Sequence, residues 1–238
     1  MRRSITRPDM RLIKSALQAG LDFIFPPRCA GCGQPGAVWC SDCDRRLVRA
    51  GVAGCVRCGF PRVVSWRCLA CELGRIRVRS FARYQPPLKQ AILRLKYHPD
   101  QALADRMAAW LSTLIDSQSD PADLIVPVPL GDVRRKERGY NQVELIASAL
   151  ARDLNIPVEA QSLARVRETR SQVGLDPEER FGNIQQAFRA DTRFVENRNI
   201  LLLDDLLTSG ATLLGCARAL FNAGASSVLC LTVGRTIG

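Results

Sequence analysis

Histidine is nearly absent from this chain: His98 is the only one in 238 residues. A multi-histidine metal centre is therefore excluded. A Ser-His-Asp or Cys-His catalytic system would have to be built on that one residue. It lies in Tyr97-His98-Pro99-Asp100 and reads as the end of a helix. No run of about 18 apolar residues occurs, so no membrane-spanning helix is expected. A secretory signal is not expected either, because Lys14, Gln18 and Asp22 interrupt the apolar positions near the N-terminus. Also missing are the Gly-x4-Gly-Lys-Ser/Thr phosphate loop and the Gly-x-Gly-x2-Gly dinucleotide fingerprint. Lysine is scarce, at 4 of 34 cationic residues, which leaves 30 arginines as the source of positive charge.

What is present is a chain that is 47% hydrophobic, enough for a core and incompatible with a disordered or collagen-like protein. The formal net charge of +11 points to an anionic partner: nucleic acid, phosphate or a membrane surface. The excess is local. Residues 1–80 hold 15 Lys/Arg against 5 Asp/Glu, whereas residues 81–238 hold 19 against 18. Within that first third, Leu12, Ile13, Ala16, Leu17, Leu21 and Ile24 recur at helical spacing between Met10 and Phe25. The expectation is an amphipathic helix packed on the body. The flanking Arg2, Arg3, Arg7, Arg11 and Lys14 make a membrane-surface helix the alternative.

Eight of the ten cysteines lie in the same third, as Cys29-x2-Cys32, Cys40-x2-Cys43, Cys55-x2-Cys58 and Cys68-x2-Cys71. Two thiolates three positions apart in a tight turn chelate one metal, and two such knuckles complete the tetrahedral four-sulfur site that suits Zn²⁺. Two zinc ions are expected. The absence of a secretion signal argues against disulfides, and the even pairing differs from ferredoxin spacing. Short intervals favour pairing of neighbouring knuckles; an interleaved cross-brace is the alternative. Eight thiolates on two Zn²⁺ would carry a net charge of −4, lowering residues 1–80 from +10 to +6. Cys216 and Cys230 stand in apolar surroundings and read as buried packing residues.

From about residue 77 the pattern alternates. Strand-like runs at Val78–Tyr84, Leu124–Val128, Ile200–Leu203 and Val228–Val233 are separated by helical patterns at Leu88–Tyr97, Ala102–Ile115, Gln142–Leu154 and Thr212–Ala223. Such alternation predicts an α/β fold with a mostly parallel sheet flanked by helices. The domains expected are an N-terminal helix over 1–28, a double zinc ribbon over 29–75 and the α/β body over 76–238.

Ile200–Leu203 is followed by Asp204 and Asp205, then by Thr208-Ser209-Gly210-Ala211-Thr212 leading into a helix. A strand end, a short loop with Gly and hydroxyls, and a helix N-terminus present amide donors and a positive dipole end to a phosphate. Two adjacent carboxylates need partners, which sugar hydroxyls or Mg²⁺ can supply.

These residues resemble the phosphoribosyl pyrophosphate (PRPP) motif of type I phosphoribosyltransferases. Together with the cysteine array, the chain resembles the ComF family, double-zinc-ribbon proteins with a phosphoribosyltransferase-like domain tied to competence and DNA uptake. Leu95-Lys96-Tyr97, Val126-Pro-Val-Pro-Leu130, Glu137-Arg-Gly-Tyr-Asn-Gln142 and Arg167–Asn183 are similar to segments of that family. The resemblance implies a type I phosphoribosyltransferase-like sheet. It implies that Asp204 and Asp205 bind the ribose hydroxyls directly or through Mg²⁺, and that Thr208, Ser209, Gly210, Ala211 and Thr212 hold the 5-phosphate. Val128, Pro129 and Leu130 fall at the pyrophosphate loop, with Arg134, Arg135, Lys136 and Arg138 behind it. Arg167–Asn183 would be a closing loop.

If the site turns over, pyrophosphate leaves the anomeric carbon, Asp204 or Asp205 stabilises the developing positive charge and Mg²⁺ the leaving group. With Gly238 close behind the last strand, no C-terminal base-recognising hood is expected, and no acceptor can be named. A second expectation is single-stranded DNA binding, with Arg57, Arg62, Arg67 and Trp66 as contacts beside Trp39 and Phe60; the other reading of the aromatics is a small ribbon core. A third is a PRPP-sensing regulator without turnover. DNA-uptake or recombination proteins are expected as partners. The cytoplasm is the expected location, with peripheral membrane association as the alternative.

Overall fold

The computed structural model describes residues 26–51, 55, 58–60, 68–116, 118–166 and 187–236, with Leu69 described by its backbone alone. The helix expected before residue 26 lies outside the described residues. So do Arg57, Arg62, Trp66, Arg67 and the segment Arg167–Asn183.

The elements follow in chain order. Two short helices, α1 (Ser41–Arg45) and α2 (Leu69–Leu73), belong to the cysteine-rich segment. The body comprises β1 (Ile76–Arg83), α3 (Leu88–Tyr97), α4 (Gln101–Ser112), β2 (Leu124–Pro127), α5 (Asp132–Arg138), α6 (Gln142–Leu154), β3 (Leu163–Arg165), β4 (Phe188–Ala190), α7 (Thr192–Val195), β5 (Asn199–Leu207), α8 (Ala211–Asn222) and β6 (Ser227–Arg235). β1, β6, β5 and β2 form a four-stranded sheet in that order, and every pairing in it is parallel. β3 and β4 form a separate antiparallel pair.

The helices form for local reasons. Leu88, Ala91, Ile92 and Leu95 recur at i, i+3, i+4 and i+7 and make the buried stripe of α3. Asp100 caps α4 by accepting the amide of Leu103, and Asn141 caps α6 by accepting that of Val143. α6 ends at Asn155 in the left-handed conformation. α5 has no buried residue, so it carries no apolar stripe for a sequence pattern to reveal. β3 and β4 are three residues each, too short for a two-residue period to stand out.

β5 and β6 are central and covered on both faces; Ile200, Leu201, Leu202 and Leu203 are at most 1% exposed. Ile200, Leu202, Val228 and Cys230 share a cluster with α8. Leu201, Leu203, Leu229 and Leu231 share the other with α3, α4 and α6. Cys216 and Cys230 are fully buried packing residues, as expected.

The cysteine-rich segment closes the free edge of β1. Val78 donates its amide to Cys58 O at 2.7 Å, Ala50 donates to Phe81 O at 3.2 Å, and Arg83 donates to Val48 O at 2.8 Å. An edge strand's unpaired groups are thus satisfied within the chain. The segment also straddles the sheet. Cys29, Cys43 and Trp39 pack into the α3/α4 side, whereas Cys55, Cys58 and Phe60 pack into the α8 side. Trp39 meets Trp110 edge-on with centroids 4.9 Å apart, and Phe81 stacks on Trp110. Of the two readings of Trp39 and Phe60, the structure shows core: they are 8% and 2% exposed.

Candidate functional site

After β2 the chain reaches α6 on one face of the sheet, and after β5 it reaches α8 on the other. Such divergence opens a crevice beyond the carboxyl ends of the two strands. The sequence placed Asp204 and Asp205 just after the strand; the structure places them inside it. β2 stops at Pro127, opposite Leu203, while β5 continues to Leu207 because β6 still pairs with it as far as Arg235. The acidic pair therefore sits on strand backbone that β2 no longer covers.

The two carboxylates have different surroundings. Asp205 is 6% exposed. Its Oδ2 accepts a hydrogen bond from Gln142 Nε2 at 2.6 Å and lies 3.2 Å from Lys96 Nζ. Asp204 Oδ1 accepts the amide of Asp205 at 2.8 Å. Burial, then the charge of Asp205, push the Asp204 carboxyl up to about 8, against the pull of its neighbour's amide, Lys96 and Arg134. Two carboxylates sharing one ammonium form a donor set that Mg²⁺ or a pair of hydroxyls can join.

The loop beyond β5 is open. Thr208 and Ser209 are exposed and Thr212 half-buried. Gly210 precedes α8 at φ 81°, with no side-chain cap bond of its own. A long 3.5 Å bond joins the Ala211 amide to Ser209 Oγ. Across the crevice, Val128 continues the ladder by donating to Leu203 O, and Pro129 and Leu130 are half-buried. Arg134, Arg135 and Lys136 are exposed on α5. Arg135 reaches Glu144 at 3.6 Å, and Arg138 donates to Gln142 Oε1 at 3.0 Å.

Lys96 and Gln142 had no role assigned from sequence. The only signal was their place in Leu95-Lys96-Tyr97 and Glu137–Gln142, and the structure explains both segments. Tyr140 Oη donates to Leu95 O at 2.5 Å and ties α6 to α3. Asn141 Nδ2 donates to Val128 O at 3.1 Å and holds the loop after β2. Gln142 then grips Asp205. His98 follows α3 as its C-cap, as expected.

The eight cysteines form two groups, Cys29, Cys32, Cys40, Cys43 and Cys55, Cys58, Cys68, Cys71, with the sulfurs of each within 4.8 Å of one another. None of the eight is in a disulfide. Sulfur pairs lie 3.5 to 3.8 Å apart. A tetrahedron of sulfurs about 2.3 Å from zinc has edges of about 3.8 Å. Neighbouring knuckles pair, and the cross-brace is excluded. Burial and adjacent sulfurs push the Cys43 and Cys58 thiols up. At Cys29 burial opposes ionisation, yet the amides of Cys40, Gly31 and Cys32 bring the thiol down to about 6. A cation is what would let all four sulfurs ionise together.

Residues 20–72 match the double zinc ribbon domain family. The DNA utilization protein YhgH of Salmonella typhi is 32% identical over 225 residues, covering 89% of this chain and 98% of that protein. Competence protein ComFC of Bacillus subtilis is 30% identical over 214 residues, covering 85% of this chain and 86% of that protein. The chain belongs to the ComF family. Its two four-cysteine groups are zinc sites, and its α/β body with a mostly parallel sheet is the fold expected from sequence. Among solved structures, the glutamine PRPP amidotransferase of B. subtilis matches 59% of this chain and 30% of its own length, at 18% identity and a TM-score of 0.40. Among the described residues no helix is long and apolar enough to cross a membrane.

Proposed function

We propose that this ComF-family protein acts in DNA uptake or DNA utilisation, with a PRPP site at the β5–α8 crevice and a basic zinc ribbon that contacts single-stranded DNA. The names of its relatives support the biological role. The observation that carries the ligand reading is the overrun of β5 past β2. It sets Asp204 and Asp205 at the crevice and Thr208–Thr212 at the start of α8, with Arg134 and Lys96 near enough to act on Asp204. In this reading the amides and hydroxyls of Thr208–Thr212 hold the 5-phosphate. The carboxylates receive the ribose hydroxyls, and the α5 cations face pyrophosphate. Mg²⁺, when bound with PRPP, would neutralise leaving-group charge. The expected DNA contacts are Arg57, Arg62, Arg67 and Trp66, with the cytoplasm as the site of action.

Titration of the zinc-loaded chain with Mg²⁺ and PRPP tests the pocket. Binding is expected, with loss in Asp205→Asn; a chain that binds no PRPP overturns the pocket reading. A pyrophosphate-release assay with and without single-stranded DNA then separates a transferase from a PRPP-sensing regulator. Binding of single-stranded DNA should weaken as salt rises, with a log–log slope of about −0.7 per phosphate contacted. A flat salt dependence overturns the DNA reading and leaves the pocket intact.

A further inference from the structure

A second charged feature lies where the cysteine-rich segment meets the sheet edge. A cavity of about 560 Å³ is bounded there by Arg49, Val78, Ser80, Phe81, Thr113 and Arg235, among others. We propose that this cavity binds a small anionic ligand, a phosphate or carboxylate group carried on a compact apolar body, with Arg235 and Arg49 as its counter-charges.

Arg235 ends β6 and is 5% exposed. Among the described residues its buried Nε has no hydrogen-bond partner, and its Nη1 makes a long 3.5 Å contact to Gly59 O. Burial lowers its pKa. Enclosing a guanidinium without an anion is strongly unfavourable, so an arginine held this way is poised for one. Arg49 lies across the cavity wall with its guanidinium 3.9 Å from the centre of the Phe81 ring. Among the described residues no carboxylate lies within ion-pair distance of Arg49 or Arg235. The contrast is with Arg77 and Arg79, which lie on β1 and share the buried Asp120, at 2.7 and 2.5 Å. Arg79 also lines the cavity, but its charge is met by Asp120; among the described residues Arg49 and Arg235 are the cavity arginines without an acidic partner. Val78 and Phe81 line it from opposite faces of β1. The Ser80 hydroxyl is shared with that of Thr232 and the Thr113 hydroxyl donates to Trp110 O, each at 2.7 Å, so the guanidinium groups are the donors left for an anion.

This is not the β5–α8 crevice. Arg235 pairs with Leu207 in the sheet, but its side chain turns toward Gly59 of the second zinc knuckle. The inference therefore stands whether or not PRPP binds.

Isothermal titration of the full zinc-loaded chain with inorganic phosphate, a nucleoside monophosphate and benzoate tests it. The arms separate phosphate from carboxylate and a bare anion from one with an apolar body. At least one probe is expected to bind saturably. Arg235→Gln and Arg49→Gln should each weaken it about tenfold or more, while Arg193→Gln, an exposed arginine outside the cavity lining, leaves it unchanged. Arg49 is exposed, so its variant keeps the test open should Arg235→Gln fail to fold. No saturable binding by any probe, binding that survives Arg49→Gln, or binding lost equally in Arg193→Gln overturns the proposal.

Discussion

Lys96 Nζ lies 3.2 Å from Asp205 Oδ2, the same oxygen that accepts a hydrogen bond from Gln142. Three elements, α3, α6 and β5, thus converge on one carboxylate. The pair is largely buried, with side-chain exposures of 18% and 8%. Removing only the cation leaves a buried carboxylate with one neutral donor. Lys96→Met should therefore cost about 2–4 kcal/mol in urea unfolding, and the double variant with Asp205→Asn should recover much of it. Additive losses would show that the two side chains are not coupled.

Asp204 predicts an unusual pH dependence. Its carboxyl titrates near 8 in the folded chain against an ordinary 3.8. Between those values the folded form holds a proton that the unfolded form has lost, so stability falls as pH rises through this window. Asp204→Asn removes the penalty. The variant should be more stable than the parent, with a gain that grows by about 1–3 kcal/mol from pH 5.5 to 8.5. It should lose affinity for any ligand that needs the carboxylate. A gain independent of pH would contradict the raised value.

The two zinc sites should fail differently. Elemental analysis is expected to find two zinc ions per chain, and chelation should expose both core clusters. Cys43→Ser should perturb the fluorescence of the packed Trp39–Trp110 pair. Cys58→Ser acts on the α8 side and should leave that signal closer to the parent's. Equal perturbation by both variants would argue against two separately anchored halves.

Two glycines separate backbone freedom from close packing. Gly33 and Gly59 both have positive φ, at 79° and 75°. A Cβ at Gly33 meets nothing, whereas one at Gly59 would stand 2.3 Å from Val78 O. Gly33→Ala should cost about 1 kcal/mol, and Gly59→Ala about 3 kcal/mol or more by displacing the second knuckle from β1. Equal costs would mean that the Gly59 contact can relax.

Much of the body was legible in sequence because its signals are local. Leu88–Tyr97 and Gln142–Leu154 carry apolar stripes of helical period and appear with the boundaries expected. The knuckle pairing followed from short intervals, since nearby thiolates meet at little entropic cost. Legibility ended where the cause is distant. In sequence Ile200–Leu203 reads as a strand that finishes at the first carboxylate, because charges rarely continue a buried run. Pairing to β6 carries β5 four residues further. Helix α5 has no apolar period to read because none of its residues is buried.

By itself the sequence determined the composition of each part: eight cysteines in four knuckles, an alternating α/β body, and an acidic pair before a glycine-containing loop and a helix. Those follow from spacing and period, which act over a few residues. Only the tertiary structure decided what each part faces. It gave Asp205 the partners Lys96 and Gln142, 109 and 63 positions away. It divided the zinc sites between the two faces of the sheet. It also enclosed Arg235 with no acid beside it among the described residues, while giving Asp120 to Arg77 and Arg79. Burial and pairing between groups far apart in the chain are set by how the layers pack, and no local pattern records them.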